Sequence, residues 1–330
     1  MKKYNQFFGV DVSKKTVDIT LLQNEQNSHR QFSNDAEGMK NLFDWLNELK
    51  IEFSETLFCM ETTGLYCYPL TKFLNVNALD TWIEQAIQIK KATPLARGKN
   101  DKVDSLRIAV YASKNLDRLR LWKPMNATLE KIKHLATLRE RLVETQKRLL
   151  VPIKEFEEVG NVEMAKLLST SIKKSITAID KDLIAVEKQI LDVLHQDEVL
   201  IKKYTFAKSV IGIGFVTGIN LLVYTNGFTQ MNDVRKLACY CGVAPFEYSS
   251  GTSVRGKTKV HYMANKKLKC NLHMAALSAI KLDADIKAYY QKKVAEGKNK
   301  MSIINAVRNK LLARVLACVN NEKKYVNKAA

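Results

Sequence analysis

Between residues 126 and 200 the chain contains one proline, Pro152, and one glycine, Gly160. The segments LEKIKHLATLRERLVETQKRLL and MAKLLSTSIKKSITAIDKDLIAVEKQILDVL repeat apolar residues three and four apart, with charges between them. That period predicts two long antiparallel helices or a coiled coil. Val151-Pro152 and Val159-Gly160 are the expected break between them. A rod of this kind divides the chain into three regions, 1–125, 126–200 and 201–330, and the flanking two read quite differently.

Residues 1–125 alternate strand-like runs (FFGV, VDITLL, TLFCM, NALDTWI) with helical ones (AEGMKNLFDWLNELK, SLRIAVYASKN), which is an α/β rhythm. Residues 201–330 are glycine-containing and basic, ending in the helical runs LHMAALSAIK and SIINAVRNKLLARVLACV. The expected class is therefore α/β plus α. Charge separates the regions further. Residues 201–330 hold 23 Lys and Arg against 6 Asp and Glu, a balance of +17, whereas residues 1–200 hold 30 against 28. A terminal third this basic points to a polyanion, most often nucleic acid, over a mere lysine surplus for solubility. No apolar run is long enough to cross a membrane, and the start MKKYNQFFGVDVSKK lacks the apolar core of a secretion signal. The six cysteines are scattered without CxxC spacing, as expected of reduced thiols in a cytoplasmic, nucleoid-associated chain with no zinc site.

Within the α/β region one residue is out of character. GVDVSKKTVDITLL reads as two buried strands and a tight turn, yet it carries Asp11. An acid there must be solvated, paired or metal-bound, because burial alone is costly. Capping of the turn is the bland alternative. Glu61 poses the same question at the end of the strand-like LFCM. In KNDKVDSLRIAVYA, Asp101 and Asp104 fall three apart at a helix start, on one face, where acids are also favoured by the helix dipole. Four acids meeting at one point would repel unless a divalent cation such as Mg²⁺ neutralised them, and carboxylate-held Mg²⁺ serves phosphodiester chemistry. A strand Asp, a second-strand acid and a helical acid pair are the arrangement of RNase-H-like nucleases.

The basic region has its own unusual stretch, GVAPFEYSSGTSVRGKTKVHYMANKKLK. Ser249 and Ser250 precede Gly251 in a polar turn, followed by Arg255, Lys257, Lys259, Lys266, Lys267 and Lys269. A hydroxyl among cations can act as a nucleophile on phosphate, since the field favours the alkoxide. A solvated loop beside a phosphate-binding patch is the other reading. Upstream, SVIGIGFVTGINLL carries Gly212 and Gly214 in a turn like that of a helix-hairpin-helix. Its backbone amides could hold a DNA phosphate, and a close helix–helix turn explains the glycines equally well.

These segments together resemble one family. GVDVSKKTVDI, METTGLY and KNDKVDSLRIA are similar to the DEDD catalytic domain of insertion-sequence transposases of the one-hundred-ten family. GIGFVTGINLL, KLACYCGVAPFEYSSG and LHMAALSA resemble that family's C-terminal transposase domain. The resemblance implies an RNase-H-like (RuvC-like) domain over 1–125, in which Asp11, Glu61, Asp101 and Asp104 bind Mg²⁺. It implies a helical coiled-coil oligomerisation region over 126–200. It also implies a mostly helical transposase domain over 201–330, in which Ser250, or failing that Ser249, attacks the scissile phosphate to form a phosphoserine link. The family's partners would be donor and target DNA and a non-coding bridge RNA that pairs with both. The active assembly would be a synaptic tetramer, with acids and serine from different subunits. The chain departs from the family's Ser-Lys-x-Gly-Asn-x-x-Leu-Arg run, reading His261-Tyr262-Met263-Ala264-Asn265-Lys266-Lys267-Leu268-Lys269, with only Asn265 and Leu268 kept.

Three other readings differ in kind. A RuvC-like nuclease would use water and leave no covalent intermediate. An actin-like sugar kinase shares the first hairpin with its Asp, but the chain shows no second glycine-rich loop for adenosine, and a kinase has no use for the basic third. A non-catalytic nucleic-acid-binding protein would use the acids structurally.

Overall fold

The heptapeptide QFFGVDV alternates so that Phe8, Val10 and Val12 lie on one side and Phe7, Gly9 and Asp11 on the other. In the computed structural model, which describes residues 3–62, 64–92, 100–229, 231–250 and 254–327, this segment is strand β1 (Gln6–Val12). It turns through Ser13–Thr16 into β2 (Thr16–Gln23). The Ser13 hydroxyl closes that turn, donating to the Thr16 carbonyl at 2.9 Å and accepting from the Thr16 N–H at 3.0 Å. Asn24 and Glu25, with φ of 47° and 64°, make the next two-residue turn into β3 (Gln26–Ser33). Two positive φ values in a two-residue hairpin match the right-handed twist of the strands.

Helix α1 (Ala36–Glu48) is capped by Asp35, whose carboxylate accepts the Gly38 N–H at 2.9 Å. Strand β4 (Thr56–Glu61), helix α2 (Tyr68–Val76), strand β5 (Asp80–Glu84), helix α3 (Ala86–Ala92) and helix α4 (Asp101–Lys114) complete the first unit, Met1–Pro124. The sheet runs β3-β2-β1-β4-β5, antiparallel among the first three strands and parallel from β1 through β4 to β5. Strand alternation feeds two cores. Phe8, Val10, Ile19, Phe58 and Met60 face Leu42, Trp45 and Leu70 from α1 and α2. Phe7, Leu57, Cys59 and Trp82 face Ile108 and Tyr111 of α4. The strand runs expected from the sequence form; β3, polar except for buried Phe32, was not expected.

The second unit, Met125–Ala330, opens with the two long helices, α5 (Ala127–Glu158) and α6 (Val162–His195). Arg139 Nε donates to Glu187 at 2.6 Å and Gln146 Nε2 to Asp180 at 2.6 Å, so the helices run antiparallel. The expected break at Val151-Pro152 is corrected: α5 continues through Pro152, and the chain turns at Val159–Asn161. Pro152 and Arg148, whose carbonyl loses its partner there, both lie on an exposed face that water can reach.

Helices α7 (Glu198–Lys208), α8 (Phe215–Tyr224) and α9 (Val234–Tyr240) follow, then the hairpin β6 (Phe246–Ser250) and β7 (Val254–Lys259). Helices α10 (Lys266–Leu282), α11 (Ala284–Ala295) and α12 (Lys300–Asn320) end the chain. One core joins both long helices to this region, through Leu129, Ile190, Leu222, Leu272, Val307 and Leu311 among others. Gly212, at φ +97°, is required there: a Cβ would stand 2.5 Å from the Ala275 carbonyl of α10. No helix among the described residues is long and apolar enough to cross a membrane.

Candidate active site

Gly9 decides where α4 rests against β1. A Cβ on it would lie 2.0 Å from the Ser105 carbonyl and 2.2 Å from the Ala109 nitrogen, so only glycine lets α4 rest directly on β1. The buried hydroxyls of Thr20 and Ser105, 2.7 Å apart, fix the helix over β2 as well. Ser105 thus lies over Gly9, and the preceding helical turn carries Asp101 and Asp104. Asn100 caps this turn, its side chain accepting from the Val103 N–H at 2.8 Å.

The strands supply the other acids. Asp11 pairs with Asp18 across β1–β2, and Glu61 with Glu84 across β4–β5. The β1–β4 register ends at Val10–Met60, which makes Glu61 the next neighbour of Asp11. Alternation puts Asp18, Asp11, Glu61 and Glu84 on the face that α4 covers: four carboxylates in a row on four adjacent strands. Burial, then the charges of Asp101, Asp104, Glu61 and Asp18, push the Asp11 carboxyl up from 3.8 to about 6. The four acids expected from the sequence therefore stand in one electrostatic neighbourhood.

Asp18 and Glu84 belong to the same row and were missed. Asp18 is buried and accepts from His29 Nε2 at 3.0 Å and Gln31 Nε2 at 2.9 Å. Glu84 accepts from the Gln85 N–H at 2.7 Å and the Tyr111 hydroxyl at 3.3 Å, and burial followed by Glu84 pushes that phenol up to about 12. The signal for both was the strand alternation that pointed to Asp11.

The donor chemistry, carboxylate oxygens around a half-buried acid of raised pKa, fits a hard divalent cation. Among the described residues, however, no three such side chains are gathered closely enough to hold one ion together. Asp104 instead accepts from Arg107 Nη1 at 2.7 Å.

The serines lie in the second unit. Ser249 and Ser250 end β6, paired in register with Arg255 and Val254 of β7, and Ser249 is exposed. Gly251 and the side chains of Ser250, Arg255 and Lys257 lie outside what is described. Lys259 and Lys266 are exposed. Lys267 is engaged within the protein, 2.5 Å from Glu140 of α5 and 5.7 Å above the Tyr224 ring. Lys269 packs beside Gly242, and Gly214 opens α8 towards free space. The two residues kept from the family run are structural: Asn265 caps α10, accepting from the Leu268 N–H at 3.0 Å, and Leu268 is fully buried.

Comparison with known proteins decides the family. A DEDD transposase model of IS110 elements, described as "Transposase", matches residues 8–156, the acid-bearing unit and α5. A second, "Transposase IS116/IS110/IS902 family", matches residues 204–291, from α7 across the serine hairpin into α11. The chain belongs to the IS110 family of transposases. The transposase is also similar to the pilin gene-inverting proteins of Moraxella bovis and Moraxella lacunata, each 25% identical over 325 residues and covering 97% of both chains. An insertion element IS110 uncharacterized 43.6 kDa protein of Streptomyces coelicolor is 33% identical over 87 residues, 26% of the transposase and 21% of that protein. The transposase is thus an enzyme that cleaves and rejoins DNA. DEDD transposase domains are typically metal-dependent.

Proposed function

We propose that the transposase breaks and rejoins the strands of a mobile insertion sequence and its target by Mg²⁺-dependent chemistry with a phosphoserine intermediate, directed by a bridge RNA. The observation that carries the acid half is the Asp11 carboxyl, raised by burial and by acids from β2, β4 and α4. Asp11, Glu61, Asp101 and Asp104 would hold the ions. When bound, Mg²⁺ would neutralise these acids and stabilise the charge that develops on the scissile phosphate. Sheet order β3-β2-β1-β4-β5, antiparallel then parallel, supports an RNase-H-like, RuvC-like domain.

In the serine half, the Ser250 oxygen attacks phosphorus as its hydroxyl proton leaves. The O–P bond forms, the phosphodiester bond to the leaving strand breaks, and the leaving sugar oxygen takes up a proton. The phosphoserine ester conserves the bond energy, so the hydroxyl of a second strand can reverse the step and reseal the DNA. Two relatives are named for inverting a gene, an outcome that needs rejoining as well as cutting. Gly214, Lys259, Lys266 and Lys269, with Arg255 and Lys257, would hold backbone phosphate, and the long helices would carry assembly towards a synaptic tetramer. Base pairing by the RNA would leave the protein to read backbone and shape.

The test is a suicide DNA substrate with guide RNA and Mg²⁺. A denaturant-resistant protein–DNA adduct is expected from the wild type, from Ser249→Ala in reduced yield, and not from Ser250→Ala, Asp11→Ala or Glu61→Ala. Complete cleavage with no adduct at any time would instead mean that water is the nucleophile.

A further inference from the structure

Helix α12 buries an apolar stripe, Ile304, Val307, Leu311, Leu312 and Val315, and in the middle of it Arg308 is only 6% exposed. A guanidinium taken out of water normally has a carboxylate beside it. Arg314, six residues further along, follows that rule: its Nη1 donates to the fully buried Asp283 at 2.6 Å. Arg308 does not. Among the described residues its acceptors are neutral, Asn305 Oδ1 at 3.4 Å from Nη1 and His273 Nδ1 at 2.5 Å from Nη2. Its Nε is buried and has no partner.

The surroundings add one donor. Since His273 Nδ1 faces a guanidinium N–H, that nitrogen accepts, so the ring is neutral and carries its proton on Nε2. Burial and Arg308 both lower the His273 pKa, which keeps the ring in that form. Asn305 spends its own N–H on the Val243 carbonyl at 2.7 Å, three residues before β6, so the cluster sits at the root of the serine hairpin. Cys270, one turn before His273 on α10, is exposed.

We infer that Arg308, with His273 beside it and Asn305 tying it to the hairpin root, forms a seat for one phosphate of the nucleic-acid backbone. A phosphate oxygen supplies the anion that the buried cation lacks, and the planar fork suits it better than a lysine would. The inference rests on the transposase handling DNA and not on which group attacks it.

The experiment uses the full-length protein and two probes, inorganic phosphate and a short DNA duplex. Phosphate is expected to shift the His273 ring resonances saturably and to raise the unfolding temperature above that in chloride of equal ionic strength. The duplex should shift the same resonances, and free phosphate should compete with it. Arg308→Met should lose the phosphate response, bind the duplex about tenfold more weakly and lose about one from the salt slope. Its unfolding temperature should be unchanged or higher, since an uncompensated buried charge is removed. A merely structural arginine gives the reverse, a less stable variant with unaltered DNA binding, and overturns the inference. If Arg308→Met does not fold, the wild-type titrations decide: no His273 response to phosphate, or a response to phosphate and none to the duplex, overturns it. A protein that shows the full response yet never joins DNA would count against the proposed activity and leave the seat standing.

Discussion

The charge on Asp11 works against the metal-free fold. Its folded pKa of about 6 lies above its ordinary 3.8, so between those values the folded protein holds a proton that the unfolded chain has released. Stability from this group is therefore greatest below pH 4, falls as pH rises through 6, and stays reduced above it. Asp11→Asn removes the effect. At pH 7.5 the metal-free variant is expected to be more stable than the wild type, by about 1 kcal/mol once solvent screening is allowed for. The difference should vanish towards pH 4, and thermal unfolding across that range measures it. A variant that is less stable at pH 7.5 would mean the acids do not crowd Asp11. At this scale the sequence was legible where an acid broke an apolar run, as Asp11 and Glu61 do. Asp18 and Glu84 escaped because a lone acid within a strand passes for its solvent-facing alternate, and only the register puts both under α4.

Among elements, the contact of α4 with β1 governs the site. Gly9→Ala places a methyl where the Ser105 carbonyl already is, and backbone cannot swing aside as a side chain can. A loss of about 2–3 kcal/mol is expected from denaturant unfolding, together with loss of DNA joining, because the turn bearing Asp101 and Asp104 moves with the helix. Full stability in Gly9→Ala would show that α4 does not rest there. Elements were legible where burial wrote a period: β1, β2, β4, β5, α1 and the long helices. Strand β3 was not, because an edge strand with one buried side chain has no apolar alternation to read. Pro152 misled for a related reason. Its cost depends on whether water can reach the freed carbonyl, and a linear string does not say which side of a helix is wet.

For the whole molecule, charge is the property on which function rests. The +17 balance of residues 201–330 predicts that full-length protein binds DNA with a steep salt dependence. Neutralising about six phosphates would cost about a thousandfold in affinity between roughly 50 and 200 mM salt, measurable by fluorescence anisotropy. A nearly flat dependence would assign the lysines to solubility alone. Some basic residues are spent on the fold itself: Lys267 holds α10 to α5, and Arg314 neutralises Asp283. The hairpin that carries Ser249 and Ser250 has a different character from everything around it. It is a ribbon of two strands, with no third strand alongside among the described residues. Such a ribbon is marginal in water until something lies against it. Ser249 and Ser250 thus sit on an element whose order depends on what comes to lie against it.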